Sequence, residues 1–382
     1  MDNFRYLYYL NCIEGLGPVR IRKLLDAFSN AQNVFESSSS EIERIDGFSR
    51  KTASAILRSK HDFPLFEKKL SLLIKKLEKI NAYVLLFNHD DYPELLKHIY
   101  DPPLFIFCKG TNKYGSLKNS IAIVGTRRPT DYGKHVAEKF AFEFAQMGFN
   151  IVSGFARGVD TIVHNTVISG KNSDGITTAV LGCGIDIIYP PENRKLYEKI
   201  VSRGILLTEY EPGTKPDAVN FPKRNRIISG MSLGVIIIES GIDGGALITA
   251  RCALDQSREV FAVPGFVTSK LSAGTNSLIK NGQAKLVENV GDILDELNNK
   301  ISGISISRGK LKKDEDLKNK AADLRGNERL IYEYLNTTND AVHIDDISEK
   351  TGLNISDCLV TLLNLEFKNY VKQLPGKRFI PL

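Results

Sequence analysis

The most constraining feature of this chain is a repeated pattern between residues 121 and 297: a short apolar run, a glycine-containing turn, then a segment with helical apolar spacing. The runs are Ile121–Val124, Asn150–Val152, Ile176–Leu181, Ile205–Thr208, Val235–Ile238 and Glu259–Val263. Most are nearly continuous Val/Ile/Leu, which a strand needs when helices cover both faces of its sheet. Alternating strand and helix predicts a doubly wound α/β fold with a mostly parallel sheet, Rossmann-like in kind. In such a fold, ligands bind beyond the carboxyl ends of the strands.

The flanks read differently. Residues 1–80 predict an all-helical domain. Within it, IEGLGPVRIRKL (13–24) and IDGFSRKTASAI (45–56) each run from an apolar residue through a glycine turn to a helix start. Both resemble the helix-hairpin-helix motif, whose turn points backbone amides at a nucleic-acid phosphate. Gly15-Leu16-Gly17 is the better match, because Ser49 takes the second glycine's place in the other copy. Two helical hairpins that simply pack on each other fit the same residues. Residues 81–119 hold two further strands, Ala82–Phe87 and Leu104–Cys108, expected to extend the sheet, so the α/β domain runs 81–297. Residues 298–325 lose apolar periodicity and gain charge, as linkers do. Residues 326–382 predict a winged helix: helices near Glu328–Leu335, Ile344–Thr351 and Ile355–Phe367, then two strands around Pro375-Gly376. Its expected recognition helix carries no basic residue, which favours protein contact; DNA contact from the wing (Lys372, Lys377, Arg378) is the other reading.

Several function classes fall away. No apolar run approaches the roughly 20 residues a membrane span needs, and the first residues lack the basic-then-apolar order of a secretory signal. Five scattered cysteines form no C-x-x-C pair, so neither a zinc site nor a disulfide framework is expected, and the chain reads as cytoplasmic. The first turn, GTRRPT, is not G-x-G-x-x-G, and Ser153 rather than an acid ends the second strand, which argues against NAD. No P-loop or G-x-S-x-G segment is present. No cofactor, metal or catalytic group is expected.

The strand ends carry phosphate chemistry instead. After the first strand come Gly125, Thr126, Arg127 and Arg128; after the second, Ser153, Gly154, Arg157 and Gly158; after the fourth, FPKRNR with Phe221, Lys223, Arg224, Asn225 and Arg226. Glycine turns at helix starts present N–H groups to anions, and arginine binds phosphate oxygens bidentately. Several anchors along one sheet edge suit a polymer of phosphates better than a mononucleotide. Phe221 and Tyr132 are candidate stacking surfaces, which favours unpaired bases. The formal charge of +6 permits such a partner without requiring it. Asp160 and His164, four apart on one helix face, read as structural rather than catalytic.

Residues 120–295 are similar to the DNA-processing protein A family. The matching segments are IVGTRRPTDYG, VSGFARGVDTIVH, AVLGCGIDIIYPPEN, FPKRNRIISG, GGALITARCAL and VFAVPGFVTSKLSAGTNSLIKNG. The resemblance implies a non-enzymatic protein that binds single-stranded DNA during natural transformation, loads the RecA recombinase onto it and dimerises through the α/β domain. It also implies DNA contacts at Gly125, Thr126, Arg127, Ser153, Gly154, Gly158, Phe221, Arg224, Asn225 and Arg226, with Gly245 and Thr249 of the GGALITA segment joining them. The chain departs from the family pattern in three places. A lysine often precedes the phenylalanine, where this chain has Asp217, Ala218, Val219 and Asn220, leaving Lys215 or Lys223 as substitutes. Ala246 replaces a serine, and Lys171–Gly175 lengthen a loop. A phosphoribohydrolase-like enzyme of related fold is the alternative; its P-G-G-x-G-T-x-x-E segment is absent, and the comparable position reads DGGALITAR.

Overall fold

The computed structural model describes residues 2–110, 119–170, 175–298, 324–338, 342–368, 370–374 and 376–381. Nearly all of the linker 298–325, most of the Lys171–Gly175 loop and Pro375 of the wing turn lie outside the described residues. Residues 1–304 form one compact unit and residues 305–382 another.

The first unit is built on a nine-stranded sheet. Its strands are β1 (Tyr83–Leu86), β2 (Phe105–Gly110), β3 (Ser120–Val124), β4 (Asn150–Ser153), β5 (Ile176–Val180), β6 (Ile205–Thr208), β7 (Gly234–Ile237), β8 (Glu259–Ala262) and β9 (Lys285–Leu286). Their spatial order is β1-β2-β6-β5-β4-β3-β7-β8-β9. From β6 to β9 every pairing is parallel, whereas β1–β2 and β2–β6 are antiparallel. The two strands expected between 81 and 119 therefore do extend the sheet, as an antiparallel hairpin on one edge. The apolar runs become strands because burial on both faces leaves no place for a polar side; β3, β4, β6 and β7 are buried throughout. The chain leaves β3 toward β4 on one side, and after β6 returns to lay β7 on the other. That reversal opens a crevice at the carboxyl ends of β3 and β7, the topological switch point of the sheet.

The N-terminal helices share a core with the sheet: Leu7, Tyr9, Ile21, Phe66 and Leu77 belong to the same apolar cluster as Phe105, Phe107, Leu181 and Leu206. Both expected hairpin turns form. Gly15 and Gly47 take positive φ (82° and 88°), where a side chain would be strained, and Leu16 and Phe48 turn inward. Ser49 does not disrupt its turn, because its side chain caps the next helix by accepting from the Thr52 N–H. An ion pair of 2.7 Å between Lys23 and Asp46 couples the two hairpins.

The second unit has helices Asn327–Thr337, Ile344–Thr351 and Ile355–Phe367 with a three-stranded sheet. Gly352 ends the middle helix with φ of 70°. The third helix buries Cys358, Leu362 and Leu365 but leaves Ile355, Leu359, Val360 and Leu363 largely exposed. No disulfide forms; the five cysteines are free. Among the described residues no helix is long and apolar enough to cross a membrane, and no cluster of metal-ligating side chains occurs.

Candidate nucleic-acid interface

A cavity of about 580 Å³ opens at the switch point. Its walls are the loop after β3 (Gly125, Thr126, Arg127), the loop after β7 (Ser240, Gly241, Gly244) and the helix Asn220–Gly230 (Phe221, Arg224, Asn225). The start of the helix Gly245–Asp255 completes it, with Gly245 and Thr249. A narrower recess lies alongside, lined by Gly154, Arg157 and Gly182, and shares Arg127, Tyr189 and Phe221 with the main cavity.

Two of the turns expected to offer free amides to an anion are already filled from within. After β3, Glu239 is buried and occupies the start of the helix Asp131–Gln146. Its carboxylate accepts from the Thr130 N–H at 2.9 Å and the Thr130 hydroxyl at 2.5 Å. After β4, the buried Asp160 carboxylate accepts from the Ala156 N–H at 3.1 Å. A Cβ at Gly154 would lie 2.7 Å from that carboxylate and 2.8 Å from the Arg224 guanidinium. The protein's own carboxylates thus take the helix-start positions that a phosphate takes elsewhere. The helix Gly245–Asp255 differs: it has no side-chain cap and no acid in its first turn, so its N-terminus faces the cavity uncompensated.

The arginines divide in the same way. Arg127 is exposed on the cavity wall and makes no side-chain hydrogen bond or ion pair among the described residues. Arg128 and Lys223 are also exposed, but off the cavity wall. Arg157 pairs with Glu192 at the rim of the recess. Arg226 sits away from the cavity and joins Asp101 at 2.8 Å and Glu209 at 2.7 Å. Desolvation works against its charge, yet the two carboxylates outweigh it and raise its pKa. Arg224 is buried, with Nη1 donating to the carbonyl of Gly154 at 2.6 Å and to that of Val180. It is a strut between the ends of β4 and β5 that also lines the cavity. Burial lowers its pKa and Asp160 opposes that shift; Asp160 is itself raised by burial, against the pull of Arg224.

The remaining expected residues are framework. Ser153 is buried and donates to the Ile123 carbonyl at 2.7 Å. Gly158 has φ of 76°, and a Cβ there would come within 2.7 Å of the Arg127 Cα, so this glycine sets the path of the Arg127 loop. His164 is buried, bonded through Nδ1 to the Thr177 hydroxyl at 2.7 Å, and burial together with Arg224 pushes its pKa down to about 3. Among the described residues its imidazole makes no hydrogen bond to Asp160.

Phe221 reaches the cavity and packs on Tyr189, with ring centroids 5.5 Å apart and planes at 33°. Tyr189 escaped sequence reasoning; its only signal was an aromatic residue ahead of Pro190-Pro191. Tyr132 is half exposed, off the cavity wall, and donates its hydroxyl to the Pro264 carbonyl at 3.0 Å.

Comparison with known proteins agrees with this architecture. The family model for DNA recombination-mediator protein A matches residues 83–298, a DprA winged-helix model matches 315–377, and a SAM-like helix-hairpin-helix tandem matches 9–59. Protein Smf of Synechocystis is 32% identical over 99% of both chains. DNA processing protein DprA of Bacillus subtilis is 41% identical, over 62% of this chain and 79% of its own length. Among solved structures, DprA from Streptococcus pneumoniae superposes with a TM-score of 0.64 at 34% identity, covering 76% of this chain and 97% of that one. DNA processing protein A from Helicobacter pylori, described for its single-stranded DNA binding mode, gives 0.52 at 32% identity, covering 58% and 97%. With the family model spanning more than half of its residues and a relative matched along its whole length, the chain belongs to the DNA recombination-mediator protein A (DprA/Smf) family.

Proposed function

We propose that this protein binds single-stranded DNA at the switch-point cavity, without enzymatic turnover, and mediates recombination by loading RecA onto the bound strand during DNA uptake in the cytoplasm. The observation that carries the reading is the juxtaposition at one crevice of an unpaired exposed arginine (Arg127), an uncapped helix N-terminus (Gly245) and the Tyr189–Phe221 ring pair. The cation and the amides suit phosphate oxygens; the rings suit unpaired bases, whose faces are hidden in a duplex. The name of the Helicobacter relative's structure supports the ligand, and the family description supports the recombination role. Family membership sets aside the phosphoribohydrolase-like enzyme. Homodimerisation through the α/β region belongs to the same reading. The winged helix is assigned to protein contact, on the exposed Ile355, Leu359, Val360 and Leu363 of a helix without basic residues.

The test is Arg127→Ala. Since Arg127 supports nothing in the fold, its loss leaves the melting temperature unchanged and lowers affinity for oligo(dT) about tenfold across sequences, as measured by fluorescence anisotropy. Undiminished affinity would remove the cavity from the binding site.

A further inference from the structure

The loop after β8 carries two adjacent apolar side chains that the fold does not use. Phe266 is 80% exposed and Val267 93% exposed. Such a pair at a frayed tip would need no explanation, but this loop is pinned. At its root, Asn276 accepts from the Gly265 N–H at 3.2 Å and donates to the Gly265 carbonyl at 2.9 Å. Tyr132 donates to the Pro264 carbonyl at 3.0 Å. Beyond the tip, the Ser269 N–H closes a turn on the Phe266 carbonyl at 3.0 Å. The aromatic ring is therefore held out into solvent by a constrained backbone, the arrangement of a preorganised contact surface.

Its position gives that surface a ligand. The segment continues into Gly274, whose N–H donates to the Ser240 carbonyl at 2.8 Å, and the Lys270 carbonyl lies 3.5 Å from where a Cβ on Gly241 would stand. Ser240 and Gly241 line the cavity, so the loop forms the continuation of its rim. Lys270 on the same loop is exposed and makes no ion pair among the described residues. On the far side, Phe221 packs over Gly182 just beyond β5. Between β5 and β8 lie four strand steps, β5-β4-β3-β7-β8. At about 4.8 Å each they separate the two aromatic positions by roughly 19 Å. A single strand with its bases about 3.4 Å apart covers that distance with about six nucleotides, fewer when stretched.

We propose that Phe266 is a second base-stacking platform, so that an unpaired strand runs along the carboxyl edge of the sheet from Tyr189–Phe221, past Arg127, to the loop after β8. This rests on the single-stranded DNA reading of the cavity and extends it to a residue outside the cavity wall. It also gives Tyr132 a role as a brace for that loop rather than as a stacking surface.

The chain contains no tryptophan, so Phe266→Trp installs a single reporter. Oligo(dT) of twelve nucleotides is expected to quench its emission, because stacking on a base quenches indole, and oligo(dT) of three nucleotides is expected to leave it unchanged. Phe266→Ala is expected to weaken the twelve-nucleotide ligand about tenfold and the three-nucleotide ligand less than twofold, whereas Arg127→Ala weakens both. Unchanged tryptophan emission while anisotropy of a labelled twelve-mer shows full binding would overturn the Phe266 assignment and leave the cavity reading intact. Failure of the unmutated protein to bind the twelve-mer would overturn both.

Discussion

Replacing Arg224 by methionine keeps an unbranched apolar stem in place and removes the charge and every donor. In the structure this guanidinium supports the carbonyls of Gly154 and Val180 and offsets the buried charge of Asp160. Two buried carbonyls left without donors cost about 1–3 kcal/mol each. Its charge also offsets that of the buried Asp160 without forming an ion pair with it, so the loss of that attraction adds to the carbonyl cost. The expected loss at pH 7.5 is therefore about 3–5 kcal/mol, a large part of the roughly 5–15 kcal/mol that holds a folded domain together. Urea unfolding followed by circular dichroism measures it. Without Arg224, Asp160 takes up a proton more readily, so the deficit should shrink at pH 5.5. Adding Asp160→Asn to Arg224→Met should recover part of it, by about 0.5–3 kcal/mol of coupling. A variant within about 0.5 kcal/mol of the unmutated protein that nonetheless fails to bind single-stranded DNA would refute the strut and restore Arg224 as a phosphate anchor.

Gly158→Ala places a Cβ against the Arg127 backbone at a positive φ. It should cost about 1–3 kcal/mol in urea unfolding and lower oligo(dT) affinity as Arg127→Ala does; full affinity would show that the loop path does not matter. His164 supplies a pH signature. Its folded pKa is depressed to about 3 from an unfolded value near 6.5, so its contribution is present above pH 6.5 and is lost as pH falls toward 3. At pH 5 that amounts to about 2 kcal/mol relative to neutrality. Asp160, raised by burial, contributes with the opposite sign: its share is present below its unfolded value and lost as pH rises through the folded one. The comparison with His164→Gln isolates the histidine, and the variant should show the shallower loss between pH 7.5 and 5. An equal loss in both proteins would contradict a neutral buried imidazole.

The sheet was largely legible because its strands are continuous apolar runs. Ile205–Thr208 forms over the residues its composition marks out, and the others shift by a residue or two. The two-residue, exposed β9 has no such signal. The glycine turns were legible as turns, but their occupants were not: Glu239 reaches Thr130 across 109 positions, and Asp101 reaches Arg226 across 125. Local spacing carries no record of such distant pairings, so arginines that look alike in FPKRNR separate only in three dimensions into a strut and an ion-paired residue, while Arg127 elsewhere stays exposed and unpaired among the described residues. The Tyr189–Phe221 stack was hidden for the same reason.

The switch-point cavity is proposed to hold unpaired DNA through phosphate contacts around Arg127. Salt-titrated binding of matched single- and double-stranded oligonucleotides tests it most directly, since log K falls by about 0.7 per log unit of salt for each phosphate neutralised on a single strand. The single strand is expected to bind more tightly at every salt concentration, with a slope that becomes shallower by about 0.7 in Arg127→Ala. Equal affinity for the duplex, or an unchanged slope in the variant, would contradict it.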